Sequence, residues 1–99
     1  MAVDDGEEGP PVVLPLDGRL DLHLFRPQDV PELLAAWVEE CRAAGVLELE
    51  VIHGKGTGAL RRRVQALLSN RGDVLQVRTA EEARGGWGVT LVRLRASQR

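Results

Sequence analysis

The sequence predicts an α/β domain of order β-α-β-α-β-β, an open mixed sheet with two crossover helices. Three observations carry this prediction. Apolar residues alternate over 20–25, recur at helical spacing over 30–41 and 60–68, and form β-rich runs at 46–52, 74–79 and 89–95. Glycines punctuate the joins, at Gly45, at Gly54, Gly56 and Gly58, and at Gly72. Ninety-nine residues leave room for one domain.

Residues 1–15 are acidic and rich in Gly and Pro, and read as a disordered tail ahead of a domain over 16–99. Leu16-Asp17-Gly18-Arg19 has turn composition. Leu20, Leu22 and Leu24 then alternate with Asp21, His23 and Phe25, a strand with one oily face. Asp29 to Glu32 resembles a capping box, with Pro31 tolerated in the first helical turn. Val30, Leu33, Leu34, Trp37, Val38 and Cys41 form one apolar stripe, and Gly45 stops the helix. The second strand, 46–52, runs into His53-Gly54-Lys55-Gly56-Thr57-Gly58. A helix over 59–70 follows, with Leu60, Val64, Leu67 and Leu68 on one stripe and Gly72 closing it. Residues 74–79 make a third strand, 80–88 an irregular loop and 89–95 a fourth strand. The first β-α-β unit should be right-handed with parallel strands, which brings the C-terminal ends of both strands to one edge. His23 and His53, the only histidines, are thereby expected to converge near the glycine loop.

The net charge of −2 conceals an asymmetry: residues 1–15 carry −4, residues 16–52 carry −5, and residues 53–99 carry +7. An arginine-rich half points to phosphate recognition, because the guanidinium fork matches phosphate oxygens. A chain this size buries roughly 60–65% of its extended surface, enough for a modest core but not for a deep enclosed pocket. Cys41 is the only cysteine, which excludes an intrachain disulfide and a cysteine-cluster metal site. No signal-peptide pattern and no membrane-length apolar run is present, so a cytoplasmic protein is expected.

A glycine loop between a strand and a helix lets backbone N–H groups approach an anion, and the helix dipole favours negative charge there. The spacing matches neither the P-loop nor the G-x-G-x-x-G fingerprint, which argues against a nucleotide triphosphatase or a dehydrogenase. On geometry alone a flexible connector and an anion site are level. Arg61, Arg62 and Arg63 tip the balance, since cations in the first turns of a helix oppose its dipole by roughly 0.3–1 kcal/mol each. A bound polyanion would offset that placement.

Leu20-Asp21-Leu22-His23, then residues 53–61, then Gly85-Gly86-Trp87-Gly88-Val89-Thr90, together resemble the Smr (small MutS-related) domain, in the manner of its small stand-alone members. The resemblance covers roughly residues 16–95. It implies a two-layer α/β sandwich similar to the C-terminal domain of translation initiation factor three. It also implies binding of DNA or RNA, with nicking or cleavage in several members, in DNA repair, recombination or RNA metabolism. The family's Leu-Asp-x-His motif falls on Asp21 and His23, its His-Gly-x-Gly motif on His53, Gly54 and Gly56, and its Gly-Trp-Gly element on Gly86, Trp87 and Gly88. Many members have glycine after the first histidine. Leu24 stands there in this chain, a bulk that narrows the approach to His23.

These residues suggest roles for phosphodiester cleavage. His23 serves as base or acid, oriented by Asp21. His53 is the complementary acid–base group or a phosphate ligand. Lys55, Arg61, Arg62 and the backbone of Gly54, Gly56, Thr57 and Gly58 hold the phosphate. Trp87, between Gly86 and Gly88, stacks on a base. Each has a competitor: a surface hydrogen-bonded pair for Asp21 and His23, a core-facing brace for His53, and a cap over the sheet edge for Trp87. Trp37 belongs to the core. Two histidines suffice to cleave RNA through its 2′-hydroxyl without metal, and a lone Asp21 argues against a two-metal mechanism. Dependence on Mg2+ or Mn2+ stays open and no metal ligand is assigned. The alternatives to a nuclease are a non-catalytic module that binds nucleic-acid structure or recruits a partner, and a small phosphometabolite-binding domain.

Overall fold

The computed structural model describes residues 14–97. Its strands are β1 (Arg19–Asp21), β2 (Glu48–Ile52), β3 (Val74–Thr79) and β4 (Val89–Leu94). Its helices are α1 (Val30–Ala43) and α2 (Ala59–Ser69). The strands pair in the order β1-β2-β4-β3, with β1 parallel to β2 and β4 antiparallel to both β2 and β3. The expected mixed four-stranded sheet and its two helices are present.

Alternation along the strands sorts the side chains into two faces. Leu20, Leu49, Val51, Val92 and Leu94 pack with Val30, Leu34, Trp37, Val38, Cys41, Val64 and Leu68 in the main core. Burying each of the larger side chains contributes about 1.5–3 kcal/mol. On the other face Val89, Leu91 and Ala80 form a smaller cluster with Ile52. Residues 80–88 are more ordered than expected, containing two short 3₁₀ turns, Glu82–Arg84 and Gly86–Gly88.

Three local readings need correction. The first strand ends at Asp21, and Leu22–Leu24 form a 3₁₀ turn. The Asp21 carboxylate accepts the His23 N–H at 2.9 Å, offering the backbone an alternative to the sheet. The oily face therefore breaks: Leu22 is buried, whereas Leu24 is 84% exposed. Asp29 caps nothing with its side chain, which instead accepts from Arg26 Nε at 3.1 Å, and a 3₁₀ turn over Pro27–Asp29 leads into α1. Pro31 is accommodated because the first helical turn needs no N–H from it. Finally, the folded unit begins before Leu16. Leu14 packs on the core, and the Pro15 carbonyl accepts the Trp37 indole N–H at 2.6 Å. Residues 1–13, the remainder of the expected tail, lie outside the described residues.

Strand β2 starts two residues later than expected because Val46 N–H bonds the Cys41 carbonyl at 2.8 Å, finishing α1. Helix α2 ends at Ser69, and Gly72 lies in the turn beyond it. No helix among the described residues is long and apolar enough to cross a membrane.

Candidate functional site

Both helices begin where a parallel strand ends, so the end of β1, the glycine loop and the starts of α1 and α2 gather at one pole. Asp21 and His23 meet there through the 3₁₀ turn rather than through strand alternation. One Asp21 oxygen, Oδ1, accepts both the backbone N–H of His23 at 2.9 Å and its ring Nδ1 at 2.7 Å. The backbone N–H is the main reason the Asp21 carboxyl is held below the usual carboxylate range; the ring bond and the charges of His23 and Arg19 add to it, against some desolvation. A carboxylate accepts only, so the Nδ1 that meets it carries a proton, and Nε2 is the ring nitrogen with no hydrogen-bond partner among the described residues.

That nitrogen lies against the glycine loop. A side-chain carbon on Gly54 would stand 2.6 Å from His23 Nε2, and Gly54 has φ +77°. Any larger residue would be strained in its backbone and would displace the imidazole. The two histidines do converge, but into different environments. His53 is 5% exposed, with Nδ1 3.0 Å from the Gly54 carbonyl and Nε2 2.7 Å from Thr90 Oγ1. The carbonyl must accept, so Nδ1–H donates to it and Nε2 accepts the Thr90 hydroxyl proton. Thr90 Oγ1 in turn accepts from Gln65 Nε2 at 3.0 Å, tying α2 to β4 and to the loop. Burial is the leading cause that pushes the His53 pKa down; the nearby Arg61 and His23 charges reinforce it and the Gly54 carbonyl opposes it. Both ring nitrogens of His53 are thus committed inside the fold.

The Gly-Trp-Gly turn is fastened to the same loop. The Gly88 carbonyl accepts two amide protons, from His53 and from Gly54, each at 3.0 Å. The Gly54 amide is therefore not available to a phosphate. Within the loop, Gly58 N–H bonds the Lys55 carbonyl at 3.1 Å and Ala59 N–H reaches Thr57 Oγ1 at 3.3 Å. The amides of Lys55, Gly56 and Thr57 have no hydrogen-bond partner among the described residues, and all three residues are exposed. A cavity of ≈ 340 Å³ lies against them, lined by the loop with Pro27, Leu60, Arg61 and Arg63. Arg62 lies outside that lining, though its guanidinium folds back to within 3.0 Å of a side-chain carbon placed on Gly58.

Arg61 is not a solitary phosphate ligand. Its guanidinium lies over the Trp87 ring, 3.9 Å from the centroid, and its Nε is buried without a hydrogen-bond partner. Trp87 remains 56% exposed. Among the described residues, Lys55, Arg61, Arg62 and Arg63 pair with no carboxylate. Nor do the described residues hold a cluster of three or more His, Cys, Asp or Glu side chains suited to a metal ion. Sequence reasoning missed Thr90 and Gln65 as supports of His53, and Pro27 as a cavity wall; Arg63, grouped with Arg61 and Arg62 in the sequence, also lines the cavity. The spacing of apolar residues carries no signal for such contacts between elements.

Fold and site together define a small α/β sandwich that presents one polarised histidine beside a cationic glycine loop. The Smr domain family matches residues 20–95, and the chain belongs to that family. "Endonuclease MutS2" of Solidesulfovibrio magneticus is 43% identical over 76 residues, which are 77% of this chain and 10% of that protein. "Endonuclease MutS2" of Listeria welshimeri is 40% identical over 78 residues, 79% of this chain and 10% of the relative. The chain thus spans about a tenth of the length of these relatives. Among solved structures, the Smr domain of Thermus thermophilus MutS2 superposes with a TM-score of 0.73 at 36% identity, covering 78% of this chain and 96% of that one. YdaL, a stand-alone small MutS-related protein from Escherichia coli, gives 0.74 at 26% identity, covering 84% and 68%.

Proposed function

We propose that the protein binds nucleic acid at the glycine-loop pole and cleaves phosphodiester bonds there. The observation that carries this reading is His23. Its Nδ1–H is held by Asp21, and its Nε2 faces a loop whose Lys55, Gly56 and Thr57 amides, like the cations of Lys55 and of Arg61, Arg62 and Arg63 at the start of α2, have no partner among the described residues. The names of the MutS2 relatives support the nuclease half of the proposal.

In this reading the amides of Lys55, Gly56 and Thr57, with the Lys55 ammonium and the Arg62 guanidinium, hold the phosphoryl oxygens as charge builds on them. His23 Nε2 takes the proton of the nucleophile, a water or, in RNA, the neighbouring 2′-hydroxyl. A new P–O bond forms as the bond to the leaving oxygen breaks, and solvent at the exposed site protonates that oxygen. The Asp21 carboxylate stabilises the imidazolium that results. His53 acts as the core-facing brace, holding the Gly54 carbonyl in place. A divalent ion, where one is needed, would find the Asp21 carboxylate as ligand and add Lewis-acid chemistry at the phosphate. We place the protein in the cytoplasm, in nucleic-acid repair or turnover.

A non-catalytic module is the second reading, favoured by the locked His53 and by Leu24 standing exposed beside His23. One assay separates them: labelled DNA and RNA incubated with wild type and His23→Ala, with Mg2+ and with EDTA. Cleavage by wild type that is lost in the variant supports catalysis, and the EDTA arm reads metal dependence. Equal background cleavage by both proteins, with binding retained, assigns the binding-only role.

A further inference from the structure

We infer that the Arg61–Trp87 pair is a receptor for one unpaired base, so that the protein selects single-stranded or locally unpaired polynucleotide over continuous duplex. The inference rests on the nucleic-acid reading above and names its substrate class. Trp87 sits in a turn of only three residues, and the turn is rigidly placed. The Gly88 carbonyl is held by two loop amides, and a side-chain carbon at Gly85, φ +113°, would collide with Val89. An indole held this way is presented outward rather than folded down as a cover: more than half of its surface is open. One face carries the Arg61 guanidinium, 3.9 Å from the ring centroid, and the exposed part of the indole is the surface offered to a ligand.

The same arginine lines the cavity under the glycine loop. Its Nε is already enclosed without an acceptor, so the donors left to an incoming group are the terminal nitrogens at the cavity side. One residue thereby joins a flat aromatic surface to the phosphate cavity, and a base on Trp87 belongs to a nucleotide next to the phosphate held by the loop. Bases inside a duplex have both faces covered by neighbours, so occupying this surface requires one to leave its stack. A single strand, a loop or a mismatch supplies such a base at low cost. Stacking on an indole reads no hydrogen-bonding edge, so the preference is for structure and not for sequence.

The test uses the full chain and two probes with equal numbers of phosphates, an unstructured oligothymidylate and a loop-free blunt duplex of two fully complementary strands. Binding is read by anisotropy of a label on the nucleic acid, together with tryptophan emission. Trp37 is fully buried, so ligand-dependent quenching reports Trp87. Wild type is expected to bind the single strand roughly tenfold or more tighter than the duplex, with quenching by the single strand alone. Trp87→Ala should weaken single-strand binding roughly 5- to 150-fold and leave duplex binding unchanged. Arg61→Lys, which keeps the charge and loses the planar stack, should lose part of the preference. Circular dichroism and the Trp37 emission confirm that the variants fold. Equal affinity for the two probes, or equal weakening of both by Trp87→Ala, overturns the inference while leaving nucleic-acid binding in place. Binding to neither probe at low salt overturns both.

Discussion

The two poles of the molecule use arginine in opposite ways. Where α1 and α2 end, Arg71 donates to both Asp73 oxygens at 2.9 Å and to Glu39 at 2.7 Å. Arg42 joins them 3.8 Å from Asp73 and donates to the Arg95 carbonyl at 2.8 Å. These bonds, to Asp73 first, push the Arg71 pKa up, and Arg71 holds the Asp73 carboxyl low. At the other pole Lys55, Arg61, Arg62 and Arg63 stand without carboxylates among the described residues, three of them at a helix start where cations are disfavoured. The far pole closes its charges on itself to fasten the chain. The near pole pairs Arg26 with Asp29 but leaves the four cations of the glycine loop and α2 open among the described residues, an arrangement that a bound anion would complete.

If this contrast is right, substitutions at the two poles should separate activity from stability. His23→Ala should lower the cleavage rate by roughly 10²- to 10⁴-fold, measured in single turnover, with its melting temperature unchanged. A comparable fall in thermal stability would mean that the pair is structural. Arg71→Ala, at the closed pole, should do the reverse: a loss of about 1–3 kcal/mol by urea unfolding, with cleavage and binding intact.

Thr90→Val probes the brace beneath the site. It strands His53 Nε2 and leaves the Gln65 amide only its longer bond to Thr79 Oγ1 at 3.5 Å, and should cost about 1–2 kcal/mol. The brace also carries a pH signature. The pKa of His53 is depressed in the folded state, so the unfolded chain binds the proton first as pH falls below about 6.5. The unfolded state then holds more protons, and stability declines on acidification from about pH 6.5 down through the folded-state pKa. Urea midpoints between pH 7.5 and 5 should show this decline in wild type and a shallower one in His53→Gln. The smallest effect belongs to Arg62→Ala. It should flatten the salt dependence of polynucleotide binding by about 0.7–0.9 in log–log slope, and raise stability by about 0.3–1 kcal/mol.

What was legible in the sequence followed from repeats that report a single element. Helical spacing marked Val30, Leu33, Leu34, Trp37, Val38 and Cys41 as core; all are buried but Leu33, which packs on the core while partly exposed. Strand parity with Leu49 and Val51 raised the core-facing option for His53, which is where its ring lies. Period-2 reading failed at Leu22–Leu24, because one carboxylate diverted the backbone into a turn. The pairing of Arg61 with Trp87 was hidden for another reason. The two residues are brought together by the β2–β4 register and by the Gly88 carbonyl, neither of which leaves a local pattern. Periodicity reports which side of an element is apolar. It does not report which side chain of another element will meet it.

The two hydrogen bonds to the Gly88 carbonyl have a wider consequence. They weld segments about 34 residues apart into one plate, leaving no hinge between the indole and the imidazole-facing glycine. In the proposed complex the separation between a base on Trp87 and a phosphate beside His23 would then be set by this backbone link. Such a plate would act as a ruler, fixing which bond in a strand lies at the histidine once a base has been seated.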